Sequence, residues 1–457
     1  MAYRCRSCGY LSLKWLGRCP GCGEWETLSL VEEEPDAEAE AAAGPAATPR
    51  PLREIPLSGR ARWPTGLEEF DRILGGGVLP GSTVLLGGEP GIGKSTLLLE
   101  VAGRLARSPQ PRERGPVLYV SGEEAPEQIK LRAERLGLPA PAQERLWVLG
   151  EQRLRAVLEA AREARASALI VDSIQTIYPH ALKDGGPGLG TTQQVGEVAY
   201  RLAQLAKSQG IPTFLIGHIT KGGEFAGPKA IEHLVDVALY LEGGREGDVR
   251  ILRAVKNRYG STEEIGVFRM GEAGLEEIRN PSEFFTERTG TAKPGSVVVP
   301  SLEGTRPILV EIQALVAASR AGVPQRRATG LDPNRVALLL AVIEKHLGLH
   351  IAQDDVYLNV AGGLSLRETA TDLGVAAAVV SSYRNRALDG DTVVVGELGL
   401  SGEVRRVRKL KERLTEAARL GYARAVVPAR NAGNAPDGLE ILPAEELSEA
   451  MEHLGLF

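Results

Sequence analysis

The sequence predicts an α/β protein. A parallel sheet, covered by helices on both faces, carries a glycine-rich phosphate loop; a small cysteine module precedes it and a second, α+β domain follows. Three observations predict this arrangement. Gly88-Glu89-Pro90-Gly91-Ile92-Gly93-Lys94-Ser95 follows the apolar run Thr83-Val84-Leu85-Leu86-Gly87 and leads into the helical pattern Thr96-Leu97-Leu98-Leu99-Glu100-Val101, the strand–loop–helix context that a Walker A loop requires. Further apolar runs end in polar residues: 116–121 before Glu123 and Glu124, 168–171 before Asp172, and 213–216 before His218. They alternate with amphipathic helical patterns, as over 151–165 and 195–209, which is the signature of a parallel sheet. Finally, all 4 cysteines fall within the first 22 residues, as two Cys-x-x-Cys pairs.

A chain of 457 residues is too long for one core, so two or three domains are expected. With 43% hydrophobic and 25% charged residues, the composition is that of a globular protein rather than a disordered or fibrous one. The net charge of -5 excludes a globally basic surface, so any nucleic-acid contact must come from a local basic channel. No apolar run is long enough to cross a membrane, and Met1-Ala2-Tyr3-Arg4-Cys5 carries no apolar signal region. A cytoplasmic location is expected.

Residues 1–30 read as a metal module. Cys5-x-x-Cys8 and Cys19-x-x-Cys22 are each followed by glycine, Gly9 and Gly23, and four thiolates from two such knuckles satisfy tetrahedral Zn²⁺. Two disulfides or a redox pair are the alternatives, and a reducing compartment disfavours structural disulfides. Trp15, between the knuckles, is read as packed, with Lys14 and Arg18 as solvated neighbours. Over 31–56 the acidic run Glu32-Glu33-Glu34 gives way to an Ala/Pro stretch ending Pro49-Arg50-Pro51. Such a segment buries no core and reads as a flexible linker.

The next domain, expected over 57–285, opens with Thr65-Gly66-Leu67-Glu68-Glu69-Phe70-Asp71 and the turn Leu74-Gly75-Gly76-Gly77. Ligands of parallel sheets sit at the carboxyl ends of the strands, and those ends carry the glycine loop, Glu123, Asp172 and His218. Gly88, Glu89, Pro90, Gly91, Ile92, Gly93, Lys94, Ser95 and Thr96 are expected to hold the phosphates of ATP. The glycines turn backbone N–H groups inward, Lys94 reaches the β- and γ-phosphates, and the Ser95 hydroxyl holds Mg²⁺. Asp172 orients the metal and its water; Glu123 polarises the attacking water, with Glu124 as its competitor. His218 is either a γ-phosphate sensor or a structural histidine.

Two glycine-rich stretches follow these strands, 183–190 and 220–229, and the second sets Lys221 and Lys229 around Phe225. Basic loops with an aromatic suit a single-stranded nucleic-acid backbone and its bases, a mobile surface loop being the plainer reading. Near the end of the domain, Lys256-Asn257-Arg258-Tyr259-Gly260 places three polar groups directly after a strand pattern; the plainer reading there is a solvated turn.

The cysteine knuckles, the Walker core and the Lys-Asn-Arg-aromatic-Gly motif together resemble the bacterial RadA (Sms) family of DNA-repair proteins, over essentially the whole chain apart from the linker. That family usually has Phe where Tyr259 stands. The resemblance implies a RecA-like P-loop core in a hexameric, DNA-dependent ATPase that drives branch migration of recombination intermediates alongside RecA. It implies that Glu123 is the catalytic glutamate and that His218 stands where RecA has a phosphate-sensing glutamine. By the same likeness, Lys221, Phe225 and Lys229 lie in a DNA-binding loop. Lys256 and Arg258 match a position whose cations reach the neighbouring subunit's ATP.

The C-terminal region, expected over 286–457, begins with a hairpin pattern, Gly295–Pro300 and Arg306–Ala314, and continues through 355–363, 372–381 and 394–404. This order is similar to the proteolytic domain of Lon, which uses a Ser-Lys dyad. Lys411 matches the lysine, but Ala370 stands at the serine position, and Ser381 and Ser382 lie further along the helix. The domain is therefore read as an inactive platform. Arg405, Arg406, Arg408, Lys409, Lys411 and Arg413 form a basic cluster, read as a duplex-DNA contact or as a solvated face. The reading is a DNA motor that takes ATP, Mg²⁺ and Zn²⁺, acts on single-stranded and branched DNA, and forms a ring. Its rivals are an ATP-dependent protease and a non-motor ATP-binding scaffold.

Overall fold

The computed structural model describes residues 2–5, 11–12, 15–20, 22–31, 51–54, 61–108, 115–179, 191–218, 230–243, 248–286, 293–319, 324–433 and 435–457. The chain divides into two compact units, Met1–Gly59 and Arg60–Phe457. In the first, β1 (Ala2–Cys5) pairs antiparallel with β2 (Leu11–Ser12) and β3 (Leu28–Val31). Its buried cluster among the described residues is Cys5, Cys19 and Leu28. Trp15 is 55% exposed and Trp25 70%, so the reading of Trp15 as packed is corrected: so small a module has no interior to receive an indole. The Arg18 guanidinium instead lies 5.9 Å over the Trp25 ring.

Among the described residues, the second unit holds two large sheets and a two-stranded ribbon of residues 397–398 and 404–405. Helix α1 (Glu68–Leu74) leads into β4 (Thr83–Gly88), the phosphate loop and α2 (Lys94–Arg107). Next come β5 (Val117–Ser121), α3 (Pro126–Arg135), α4 (Ala140–Arg145), β6 (Leu146–Gly150), α5 (Leu154–Glu163) and β7 (Ala168–Asp172). Helix α6 (Thr192–Gln209), β8 (Thr213–Ile216), α7 (Ala230–Leu234) and β9 (Val237–Glu242) complete the parallel part, ordered β9-β4-β8-β7-β5-β6. Alternation along these strands feeds two cores, as period-2 side chains must. Val84, Leu86, Tyr119, Ile170 and Phe214 pack with α2, while Leu85, Val120, Leu169, Val171 and Leu215 pack with α5 and α6.

Beyond β9 the sheet turns antiparallel through β10 (Val249–Asn257), β11 (Ile265–Met270) and β12 (Leu275–Glu277). The sequence reading anticipated only the parallel part. A short helix α8 (Pro281–Phe285) then leads to the second, seven-stranded sheet. Strands β13 (Ser296–Glu303) and β14 (Arg306–Ala318) form the expected hairpin. Its turn residue Gly304 has φ +66, and a Cβ there would lie 1.6 Å from the Glu263 carbonyl oxygen, so only glycine lets the hairpin approach the loop before β11. After β15 (Arg326–Thr329) come α9 (Pro333–Leu347), β16 (Asp354–Val360), α10 (Asp372–Arg384), β17 (Thr392–Val394), β18 (Glu397–Leu398) and β19 (Val404–Arg405). The chain ends in α11 (Leu410–Arg419), β20 (Arg424–Pro428), β21 (Glu440–Ala444) and α12 (Leu447–His453).

The two sheets are not independent. One apolar cluster joins Val249, Ile251, Ile265 and Val267 of β10–β11 to Val299, Ile308 and Val310 of the hairpin. Beside it the fully buried Glu69 of α1 accepts from the Val267 N–H at 3.0 Å and from Arg306 at 2.8 Å. Arg253 of β10 pairs with Glu303 at 2.5 Å. Buried carboxylates paired this way are satisfied rather than stranded, so the hairpin is held to the edge of the first sheet.

Candidate active site

The phosphate loop lies at the carboxyl end of β4. Gly91 at φ +79 and Gly93 at φ +112 take backbone conformations that a side chain resists. At Gly93 a Cβ would also meet Met270 Cε at 2.7 Å. Lys94 opens α2, is 4% exposed, and donates from Nζ to the carbonyls of Gly88 and Glu89, both at 2.9 Å. Burial lowers its pKa, and the negative charges of Asp172 and Glu123 oppose that shift. The ammonium is thus held among the loop carbonyls and facing two carboxylates.

Asp172 ends β7, directly opposite Ser121 of β5, and is 4% exposed. The Tyr119 hydroxyl donates to its Oδ2 at 2.7 Å, and Ser95 also hydrogen-bonds it. Burial raises the carboxyl pKa, and these two hydroxyls pull it back. Glu123 lies just past β5. Ser173 Oγ donates to its Oε1 at 2.5 Å, and His218 Nε2 stands 3.1 Å from the same oxygen. The histidine bond lowers the Glu123 pKa below the ordinary carboxylate value against the opposing effect of burial. The pair is joined with Nε2 as the donor. Glu124 is differently employed: Arg132 of α3 pairs with its Oε1 at 2.6 Å. Of the two competing carboxylates, Glu123 is the one joined to His218 and Ser173 within the cluster around Asp172. Three oxygen-bearing groups converging here, Ser95, Asp172 and Glu123, suit a hard cation such as Mg²⁺.

Tyr119, Ser173 and Arg132 escaped the sequence reading. Tyr119 and Ser173 are polar residues in or beside runs read for their apolar pattern, and their partners belong to a neighbouring strand or the segment after it, whose register the sequence does not display; Arg132 lies on α3 and folds back onto Glu124.

The Lys256–Gly260 segment sits elsewhere. Strand β10 runs antiparallel to β9, so Asn257 pairs with Val237 at the amino end of β9. Arg258 N–H donates to the Asp236 carbonyl at 3.0 Å, and its guanidinium meets Asp236 Oδ1 at 3.4 Å. Asp236 Oδ2 in turn accepts from the N–H of Thr83, the first residue of β4, at 3.0 Å. Lys256 Nζ donates to three carbonyls around the end of α7: Glu232 at 2.6 Å, Val235 at 2.8 Å and His233 at 3.2 Å. Asn257 donates to the Ile73 carbonyl at 2.9 Å and accepts from the Tyr259 N–H at 2.9 Å. The structure therefore gives this motif a built geometry at the opposite edge of the sheet from the phosphate loop. Lys221, Phe225 and Lys229 lie outside the described residues.

In the N-terminal unit Cys5, Cys19 and Cys22 bring their sulfurs within 4.8 Å of one another, with Cys5 and Cys22 at 3.6 Å. A tetrahedral Zn–S₄ centre with bonds of about 2.3 Å sets sulfurs roughly 3.8 Å apart, so these donors fit that metal. Gly23 at φ +77 closes the second knuckle. Cys8 lies outside the described residues.

In the C-terminal domain Ala370 is 5% exposed, packed with Val407, Leu410 and Leu414. Lys411 points to the exposed side of α11. Thr369 and Thr371, which flank Ala370, line a cavity of about 590 Å³ walled by Asp332, Arg335, Leu339 and Arg367. The expected basic cluster is broken up. Arg406, Arg408 and Lys411 are exposed, and Arg405 is paired with Glu403 at 2.5 Å. Arg413 is 0% exposed, donates to both oxygens of Glu368 at 2.7 and 2.5 Å, and reaches the Pro300 carbonyl at 2.5 Å. Its place in a surface cluster is corrected: it is an interior cation.

Strand, glycine loop, buried lysine and two carboxylates at neighbouring strand ends define a P-loop ATPase. A family described as an AAA domain matches residues 51–224, a rubredoxin metal-binding domain matches 3–29, and the ChlI subunit of Mg-chelatase matches 332–431. The DNA repair protein RadA of Bacillus subtilis is 46% identical over 98% of this chain and 97% of its own length. That of Halalkalibacterium halodurans is 45% identical over the same shares, and that of Aquifex aeolicus 46% over 99% and 98%. The chain belongs to the RadA family of DNA repair proteins. No helix of the described residues is long and apolar enough to cross a membrane.

Proposed function

We propose that this ATPase is DNA-dependent and works in the cytoplasm as a head-to-tail ring, expected to be hexameric, on single-stranded and branched DNA. It promotes branch migration in RecA-mediated strand exchange and double-strand break repair. The observation that carries this reading is the separation of its cations. Arg258 and Lys256 lie at the Thr83 end of β4, and the phosphate loop begins at Gly88. Five residues at ~3.3 Å rise set these ends about 17 Å apart. No arginine spans that distance, so Arg258 serves the γ-phosphate of a neighbouring subunit rather than its own. A cation supplied across an interface ties hydrolysis to assembly.

Within one subunit the roles follow from the contacts. Lys94 neutralises the transferred phosphoryl group, Ser95 and Asp172 hold Mg²⁺, and Glu123 takes the proton of the attacking water. His218 joins that base to the end of β8, and Lys221, Phe225 and Lys229, proposed to contact DNA, follow it in the sequence. Mg²⁺ supplies charge stabilisation of the leaving phosphates. Cys5, Cys8, Cys19 and Cys22 hold one Zn²⁺. The C-terminal domain is a platform rather than a protease, because a buried alanine offers no nucleophile at Ala370. ATP hydrolysis measured with and without single-stranded DNA tests the reading. Stimulation by DNA is expected; a rate indifferent to DNA at every nucleotide concentration would refute it.

A further inference from the structure

We propose that Tyr119 is a positioning residue for the metal of the nucleotide site, acting through Asp172. This rests on the assignment of the cleft at β4, β5 and β7 as the nucleotide site and goes beyond it in giving that site a further member.

Tyr119 lies in the middle of β5, opposite Ile170 of β7. Period-2 alternation puts the side chains of 119, 170 and 172 on one face of the sheet, the face covered by α2. Asp172 stands two positions beyond Ile170, so the phenol lies one pleat below the carboxylate and its ring reaches up toward it. Tyr119 is 0% exposed and packed in the α2 core with Val117, Ile170 and Ile129. Phenylalanine would fill that core equally well. The hydroxyl is what packing leaves unexplained, and it donates to Asp172 Oδ2 at 2.7 Å. Facing a carboxylate, which offers only acceptors, the hydroxyl acts here as a donor.

Asp172 is thereby gripped from two elements, by Tyr119 from β5 and by Ser95 from the first turn of α2. A buried carboxylate tied at one oxygen by a rigid aromatic cannot rotate freely about its terminal bond. Fixing a ligand's orientation in this way, by a hydrogen bond from behind, typically governs metal affinity or activity by ~10–100-fold. The aromatic ring is a stiff lever: it is held by the core and carries its hydroxyl at a fixed height.

The test uses the full-length protein and a fluorescent ATP analogue. For Tyr119→Phe, the Mg²⁺ concentration giving half-maximal metal-dependent nucleotide binding should rise roughly 10-fold or more, and kcat should fall. Nucleotide affinity measured in excess chelator should stay at the parent value, since Lys94 and the loop are untouched. In an Asp172→Asn background the same substitution should have no further effect on the Mg²⁺ midpoint, because its route to the metal has been removed. A Tyr119→Phe midpoint within twofold of the parent overturns the proposal. So does parallel loss of the chelator-resistant binding, which would make Tyr119 a packing residue alone. Lys94→Ala serves as the control on the site itself: retained nucleotide affinity there would overturn the site assignment and the proposal together.

Discussion

Replacing Arg258 by alanine is the most direct test of a site shared between subunits, and the structure makes it a clean one. The guanidinium is half exposed, at 51%, and its ion pair with Asp236 is long at 3.4 Å. Asp236 is itself buried, at 2%, but keeps its bond from the Thr83 N–H without it, so with one partner half exposed the loss should stay below the about 3–5 kcal/mol of breaking a fully buried pair and the fold should tolerate the change. Lys256 is a poorer choice, because its ammonium caps three carbonyls of its own chain. If Arg258 completes the neighbour's site, Arg258→Ala alone should lower turnover by up to roughly 10³–10⁵, while nucleotide still binds. Lys94→Ala should be inactive. Mixing the two variants in equal amounts creates some interfaces in which an intact loop from one meets an intact Arg258 from the other. In a head-to-tail ring about one interface in four has that pairing, so turnover should return to about a quarter of the parent rate. The assay is steady-state ATP hydrolysis across mixing ratios, with subunit exchange verified by mass. Activity equal to the sum of the separate variants at every ratio, in rings shown to be mixed, would refute the argument.

Three further outcomes are expected. Glu123→Gln should bind ATP but hydrolyse it at least ~10²-fold more slowly, whereas Glu124→Gln, whose carboxylate is held by Arg132, should lose less; single-turnover rates compare them, and the reverse order would exchange their roles. Metal analysis in reducing buffer should find about one Zn²⁺ per chain, lost in Cys19→Ser together with the fold of residues 1–30; zinc-free parent protein would rule the centre out. Arg413→Ala removes the cation paired with Glu368 and should destabilise the protein by about 3 kcal/mol, the lower end for breaking a buried pair because Glu368 is 25% exposed and keeps its bonds from the Ser301 hydroxyl and the Leu302 N–H. Arg413→Met with Glu368→Met should recover most of that loss in urea unfolding; if Arg413→Ala instead weakened duplex DNA binding at unchanged stability, the interior assignment would be wrong.

The nucleotide site was legible because its chemistry demands particular residues in a continuous stretch. A loop that needs positive φ at Gly91 and Gly93 writes glycine into the sequence, and carboxylates after apolar runs announce strand ends at a parallel sheet. Arg413 was legible too, but went unread. Leu410, Arg413, Leu414 and Ala417 stand at i, i+3, i+4 and i+7, the spacing of one helix face, and all four are buried. Charge composition had grouped Arg413 with Arg408 and Lys411, when helical period already separated it from them. Tyr119 was not legible in this way, because its partner is two residues further along a different strand and depends on the β5–β7 register.

The meaning of Lys256 and Arg258 turns on a single topological fact, the direction of β10. An apolar run of alternating burial looks the same whether its strand lies parallel or antiparallel to its neighbour. Had β10 continued the parallel series, its end would lie at the carboxyl edge, beside the chain's own phosphate loop, and the motif would complete a site within one subunit. Because β10 instead returns antiparallel from β9, its end falls at the amino edge, and the β-hairpin of residues 296–318 backs onto the loop just beyond it through Gly304 and Glu263. The cations are thus carried on the margin where the first sheet meets the C-terminal domain. If Arg258 completes the neighbouring subunit's site as proposed, the cation stands close enough to that domain for the two to be coupled. A mixing experiment in which Arg258→Ala is rescued in trans would then give the C-terminal domain a place in the ATPase cycle that needs no nucleophile at Ala370.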